Sequence, residues 1–161
     1  MFFIITFTNS VPLENKSISL KGETSIVKRQ LAPPFFSLHA FFEKDFDPFA
    51  EVGEYVSGTF TFTLMPDGGI RVIGQCNTGF TDPDPSVYTI MIVSRPVCPT
   101  YIADLDLTPF LKYTINVPGT SGFQHDFYNK FTLEEIHHMF VVVKLGGTPI
   151  GAAYIEAVGE D

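Results

Sequence analysis

The sequence contains no tryptophan, only two cysteines and no long apolar run. Two cysteines are too few for a disulfide-rich scaffold. A single bridge between Cys76 and Cys98 would fit an exported protein, and two buried free thiols are the other interpretation. Because no apolar run reaches the ~18 residues of a membrane-spanning helix, the sequence predicts no membrane span.

Basic residues are also scarce. Ten Lys and Arg stand against eighteen Asp and Glu, which gives a formal net charge of -8 at pH 7. Nucleic acids and anionic membrane surfaces are bound by clustered Lys and Arg. We therefore expect neither of them as a partner.

Phenylalanine, proline and glycine are abundant instead. The 161 residues include seventeen Phe, six Tyr, twelve Pro and thirteen Gly. Short apolar strands joined by turns that contain Pro and Gly are typical of all-β proteins. The length is that of one ordinary domain with one hydrophobic core.

The clearest pattern is a hairpin over residues 56–76. Residues 59–64 alternate threonine with aromatic or aliphatic side chains, and residues 70–76 continue the alternation. Between them, Met-Pro-Asp-Gly-Gly at residues 65–69 provides the Asp-Gly signal of a tight reversal. We predict two paired strands with one buried face.

Further apolar runs of strand length bring the total to about eight strands, a number and spacing expected of a sandwich or barrel. Thr132 and Glu135 form a capping box, which predicts one short helical turn over Thr132 to His138. Residues 118–127 are rich in Gly and polar side chains and are predicted to form a loop. The other predicted strands are residues 35–42, 87–93, 101–107, 111–117, 139–145 and 150–158.

Residues 1–29 show no sustained pattern. They carry the sequon that begins at Asn15 and end at the dibasic pair Lys28-Arg29. The pair resembles a pro-protein processing site of the kexin type, and two solvated charges in a loop are the alternative. We predict a leader, propeptide or flexible arm over residues 1–29 and a β-domain over residues 30–161.

The β-domain contains five short motifs: GTFTFTLMPDG at 58–68, YIADLDL at 101–107, FTxxEI at 131–136, FVVV at 140–143 and GGxPIG at 146–151. In their order, these motifs resemble those of the CHRD (chordin-type) domain family. The resemblance extends over residues 35–158.

The resemblance implies the Greek-key β-sandwich, or flattened barrel, of the copper/zinc superoxide dismutases. A dismutase site needs a His-x-His pair, further His ligands and an Asp. The strand that carries Ala-His-Ile-His in CHRD proteins reads Tyr88-Thr89-Ile90-Met91 here, and Lys144 stands at the position of a late-strand histidine. We therefore expect no metal cofactor and no enzymatic activity.

Four histidines remain as metal-ligand candidates: His39, His125, His137 and His138. His137 and His138 are adjacent, so their side chains diverge and do not easily hold one ion together. His39 lies in an apolar strand, where a hydrogen-bonded interior histidine is the more common case. A copper or zinc site that joins His39 with His125 across the sandwich is the alternative.

These observations predict a non-enzymatic, secreted β-sandwich that acts as an extracellular or cell-surface structural or binding module. Its partner would be a protein or a glycan presented to the loops at one end of the sandwich. One alternative is a divergent superoxide dismutase-like metalloprotein that uses the four histidines. Another is a carrier of apolar ligands such as lipid, favoured by the four phenylalanines Phe35, Phe36, Phe41 and Phe42.

Overall fold

The computed structural model describes residues 36–43, 55–94 and 105–159. Most of the regular structure of these residues is strand, with one four-residue helix and one short 3-10 turn at Pro85–Val87. The elements are β1 Ser37–Phe42, β2 Ser57–Leu64, β3 Ile70–Thr78, β4 Tyr88–Val93, β5 Leu105–Asp106, β6 Ile115–Asn116, β7 Gly119–Thr120, β8 Phe123–Phe127, α1 Leu133–Ile136, β9 Phe140–Leu145 and β10 Thr148–Ala157.

Eight of the strands form one curled antiparallel sheet in the order β5-β4-β9-β10-β1-β2-β3-β8. The strands β6 and β7 form a separate small pair. The chain crosses from β3 to β4 and from β8 to β9 without pairing those strands, as in a Greek key. The prediction of an all-β Greek-key sandwich or flattened barrel is confirmed.

One hydrophobic core fills the space inside the curled sheet. Side chains from β1, β2 and β3 meet side chains from β4, β9 and β10 there. Phe60 and Phe62 of β2 are fully buried, while Thr59, which precedes Phe60 on the same strand, is exposed. Because successive side chains of a strand point to opposite faces, every second side chain of these strands lies in the core.

The predicted central hairpin is confirmed as β2 and β3. Phe62 pairs with Val72, and Leu64 pairs with Ile70 at the turn. In the turn, Asp67 Oδ1 accepts a hydrogen bond from the Gly69 amide at 3.2 Å, and Gly68 has a φ of 85° that favours glycine.

The predicted capping box is confirmed at the start of α1. Thr132 Oγ1 accepts a hydrogen bond from the Glu135 amide at 3.2 Å, and the Glu135 carboxylate accepts one from the Thr132 amide at 2.8 Å. Two amides that the helix leaves unpaired are thereby satisfied. The helix delivers the chain to β9, and Gly146 and Gly147, with φ of 57° and 86°, then turn it into β10.

The predicted strand over residues 111–117 is wrong except for Ile115–Asn116. Leu111 is buried and Lys112 is exposed, so the alternation reports burial on one side only. The backbone of this segment finds local partners instead of a long ladder, as when the Thr114 amide donates to Ser121 Oγ at 3.0 Å. Of the predicted strand 101–107, β5 is described and residues 101–104 lie outside the described residues.

The predicted loop over residues 118–127 is also wrong, because it contains the strand β8. β8 pairs with β3, and its residues Phe123 and Phe127 are buried on the core side. Polar residues at every second position gave the segment the composition of a loop, while the short alternation of Phe123, His125 and Phe127 is that of a strand.

Several predicted features lie outside the described residues. They are the boundary between residues 29 and 30, Asn15, Lys28, Arg29 and Cys98. Each of them stays a prediction. Among the described residues, no helix is long and apolar enough to cross a membrane.

We expect Phe60→Ala to lower the free energy of unfolding by about 3–5 kcal/mol, because it empties a fully buried site between two other rings. The Phe60 ring centroid lies 5.7 Å from that of Phe42 and 5.0 Å from that of Phe123. Urea unfolding followed by circular dichroism measures the change. Thr59→Ala, on the exposed face of the same strand, is the control and is expected to cost less than about 1 kcal/mol. Equal losses in the two variants would contradict the assignment of the core face.

Candidate functional site

The outer face of β4, β9, β10 and β1 is unusually apolar for a sheet surface. Val93, Val142 and Ala152 form a second buried cluster that is separate from the main core, and Met91 and Phe140 pack against it. These side chains alternate with core residues such as Val141 and Val143 on the same strands. The strands β4 and β9 therefore present apolar side chains on both faces.

Three positions that the CHRD resemblance relates to histidines lie together on this outer face. Thr89 of β4 pairs directly with Lys144 of β9. Met91 follows Thr89 by two residues, so it points to the same face, and it pairs with Val142. Side chains directly opposite in an antiparallel pair have Cβ atoms about 4.5–5.5 Å apart. The scaffold thus brings these positions close enough for their side chains to meet.

The side chains at these positions do not fit copper or zinc. These metals take imidazole, thiolate or carboxylate ligands in proteins. The Lys144 ammonium has no acceptor lone pair, the Thr89 hydroxyl is a poor ligand, and the Met91 thioether alone is a soft donor. Within the described ranges, no three His, Cys, Asp or Glu side chains are grouped so that they could hold a metal ion.

The structure places His39 and His125 on opposite faces of the sheet. His39 lies on the outer face, where its Nε2 is 3.2 Å from Glu156 Oε1 on β10. His125 pairs with the core residue Val72, and its ring packs 4.6 Å from that of Phe127. The structure therefore does not bring His39 and His125 together into a shared metal site.

His137 and His138 lie between α1 and β9, and the prediction that their side chains diverge is wrong, because the two rings stack with centroids 3.7 Å apart. The backbone of His138 has a φ of 66°. The Nδ1 atom of the His138 ring is 2.5 Å from the hydroxyl of Tyr154 on β10. The pair thus reaches the same outer face as His39. The contact of His138 with Tyr154 holds a tyrosine ring in place.

A groove with aromatic walls lies on this face, with a volume of about 430 Å³. We call it the aromatic groove. Phe41 and Tyr154 have 46% and 40% of their surface exposed, so a ligand can reach both rings. The residues that line the groove are Phe41, Glu43, Phe140, Tyr154 and Glu156.

The aromatic groove was not predicted from the sequence. Its residues come from β1, the end of β1, β9 and β10, which are far apart in the chain. The available signal was the apolar character of both parities in residues 140–143, since a strand with one solvated face does not need it.

A second cavity of about 540 Å³ lies beside Leu111. Two hydroxyl groups of its lining residues accept hydrogen bonds from backbone amides. Thr108 Oγ1 accepts a hydrogen bond from the Ile90 amide at 2.8 Å, and Ser121 Oγ accepts the one from Thr114. These two hydroxyl groups are therefore already engaged with the backbone.

The phenylalanines that favoured a lipid carrier do not line a common interior space. Phe42 is buried in the core against Phe60, whereas Phe36 and Phe41 are exposed on the surface. Phe35 lies outside the described residues. The interior between the two halves of the sheet is filled by core side chains.

Cys76 is buried at the far end of the central hairpin and forms no disulfide with another residue of the described part of the chain. Burial raises the pKa of this thiol to about 12, because a thiolate is poorly solvated there. The predicted partner, Cys98, lies outside the described residues, so the bridge stays a prediction.

Comparison with known proteins supports the fold. No protein-family model matches the chain, and no curated protein does so either. Among solved structures, a mutant of superoxide dismutase 5 from Candida albicans is similar, with a TM-score of 0.57 and 19% sequence identity over 79% of this chain and 94% of that one. At this identity the likeness establishes the superoxide dismutase-like fold alone.

We expect Cys76 to resist alkylation by iodoacetamide in the folded protein, because its thiol is buried and its pKa is raised to about 12. Peptide mass spectrometry after labelling measures the modified fraction. In urea without reductant, a free Cys76 becomes fully labelled, whereas a Cys76–Cys98 bridge stays unlabelled until reductant is added. Rapid labelling under native conditions would contradict the buried position.

Proposed function

We propose that this chain is a non-catalytic, secreted module of CHRD type that binds a protein or glycan partner. The observation that carries the proposal is the composition of the outer face of β4, β9 and β10. Where a metalloenzyme of this fold would need ligands, the face has Thr89, Met91 and Lys144, and beside them it has an open aromatic groove.

The charge and chemistry of Lys144 argue against a redox role for this face. The ammonium group of a lysine repels a metal cation and donates hydrogen bonds only. The histidines do not replace the missing ligands, because His39 is engaged with Glu156 and His125 lies on the core side.

The exposed rings favour binding over a purely structural role. Large aromatic side chains carry much of the energy in protein interfaces when a partner covers them. Phe41 and Tyr154 are accessible, and the sheet beneath them is rigidly paired on both sides of β10. A rigid aromatic surface binds at a low entropic cost.

Secretion is supported by the sequence. The Asn15 sequon and the dibasic Lys28-Arg29 pair both belong to proteins that pass through the secretory pathway. A divergent metalloprotein would need the histidines to converge, and an apolar-ligand carrier would need an interior cavity. The likeness to superoxide dismutase 5 is compatible with the metalloprotein, but the described residues contain no group of three His, Cys, Asp or Glu side chains that could hold a metal ion. The space between the two halves of the sheet is filled by core side chains.

We expect the chain, refolded with copper and zinc and then dialysed, to retain well below one equivalent of either metal and to consume no superoxide. Metal content and superoxide consumption are measured on the same sample. Stoichiometric metal together with superoxide consumption would contradict the proposal.

A matched variant tests whether the scaffold itself is competent for metal. Thr89→His, Met91→His and Lys144→His together place three imidazoles on neighbouring positions of one face. This triple variant is expected to gain copper binding, because imidazole suits copper and zinc. If the variant binds metal and the natural sequence does not, the side chains and not the fold decide the outcome.

We expect the protein recovered from the medium of secreting cells to begin at Gln30 or Leu31, because processing would follow Arg29. Intact-protein mass spectrometry measures the start of the chain. Lys28→Ala with Arg29→Ala is expected to leave residues 1–29 attached. A natural chain that retains residues 1–29 would contradict the processing prediction.

A further inference from the structure

We propose that the aromatic groove binds an arginine side chain of a protein partner. The inference deepens the proposed function and rests on it, since it names the chemistry that the binding module recognises.

The groove walls are aromatic rings on three neighbouring strands. Tyr154 of β10 pairs with Phe140 of β9, and their ring centroids are 5.2 Å apart at an angle of 58°. Phe41 lies two residues after His39 on β1, just as Tyr154 lies two residues before the paired Glu156 on β10. The three rings therefore form a row across the sheet, and the tilt between Tyr154 and Phe140 keeps these two rings from covering one another's faces.

The orientation of the Tyr154 ring is fixed by contacts that do not fill the groove. Its hydroxyl is engaged with His138 Nδ1, and the His138 ring lies nearly parallel to it at 5.7 Å. The phenol is thus held as an aromatic wall, and its only polar atom already has a partner.

The remaining polar groups of the groove are two carboxylates. Glu43 is exposed and has no ion pair within the described part of the chain. Glu156 uses Oε1 toward His39 and leaves Oε2 for a further donor. No Lys or Arg of the described residues lines the groove to neutralise them.

Rings and carboxylates together match a guanidinium group. Both carboxylates accept hydrogen bonds only, and the guanidinium group donates hydrogen bonds only, so the polar groups of the groove and the ligand are complementary. The planar cation also stacks on aromatic faces and binds carboxylates through its fork of N–H groups. A sugar would bring acceptor oxygens that find no donor among the lining residues.

The size and charge of the molecule agree with this occupant. A volume of about 430 Å³ is within the usual range for ligand sites, about 300–1,000 Å³, and it admits a long side chain with part of its backbone. The net charge of -8 attracts a cationic partner and repels an anionic one.

The test uses the full chain and calorimetric titration with the peptide acetyl-Gly-Gly-Arg-Gly-Gly-amide. The matched ligand has citrulline in place of arginine, which keeps the shape and removes the charge. We expect the citrulline peptide to bind about tenfold more weakly, and added salt to weaken the arginine peptide more than the citrulline peptide.

Variants of the groove assign the binding to its residues. Glu43→Gln with Glu156→Gln is expected to weaken the arginine peptide about fivefold to tenfold, and Tyr154→Leu about threefold or more. Glu134→Gln removes a carboxylate on α1, and Phe36→Leu removes an exposed ring at the start of β1. These two controls are expected to leave the affinity unchanged.

Equal affinity for the arginine and citrulline peptides would overturn the inference, and so would affinity that survives both groove variants. Binding of an oligosaccharide that is lost in the same variants would make the groove a glycan site and would also overturn it. If the arginine peptide does not bind and the protein takes up no copper or zinc, this inference is contradicted and the proposed function is not. Metal uptake with superoxide consumption removes the proposed function whatever the peptide does.

Discussion

The burial of Phe60 and Phe62 in the core inside the curled sheet is the interaction on which the rest of the structure depends. Both rings are fully removed from solvent, and side chains of β4, β9 and β10 close on them from the other half. Because a strand has a period of two, this burial decides which side chains of β2 face outward. The register of β1 with β2, and of β10 with β1, then determines which side chains of β1 and β10 face outward. The positions of His39, Phe41, Tyr154 and Glu156 on the outer face follow from it.

The parts of the fold that the sequence predicts are those with local signals. The central hairpin has its turn residues beside its alternation, and the helix α1 has both members of its capping box within four residues. Strand β8 and the segment around Leu111 were misassigned because their pairing depends on residues far away in the chain. β8 gains its partners from β3, while Leu111 is buried without a ladder. Alternation of apolar and polar residues indicates which side chains are buried. It does not indicate whether another strand pairs with the segment, because that depends on the tertiary structure.

The candidate site divides in the same way. The three positions related to metal ligands were located from the order of short motifs, and the register of β4 with β9 brings them together. The aromatic groove had no such signal, since Phe41 and Tyr154 become neighbours only when the last strand pairs with the first. In the sequence these are an exposed phenylalanine and a strand tyrosine with no visible relation. The strand order places the two side chains beside each other.

The two-sided apolar character of β9 has a further consequence for how the strand finds its place. When only one face of a strand is apolar, sliding it by one residue exposes the whole buried set and is strongly unfavourable. β9 lacks this safeguard over Phe140 to Val143, because a slip would exchange one apolar face for another. Its alignment must then be set at its ends, by the capped helix that starts at Thr132 and by the glycine turn at Gly146 and Gly147. In this domain the correct pairing of the most apolar strand is specified by residues that lie outside it.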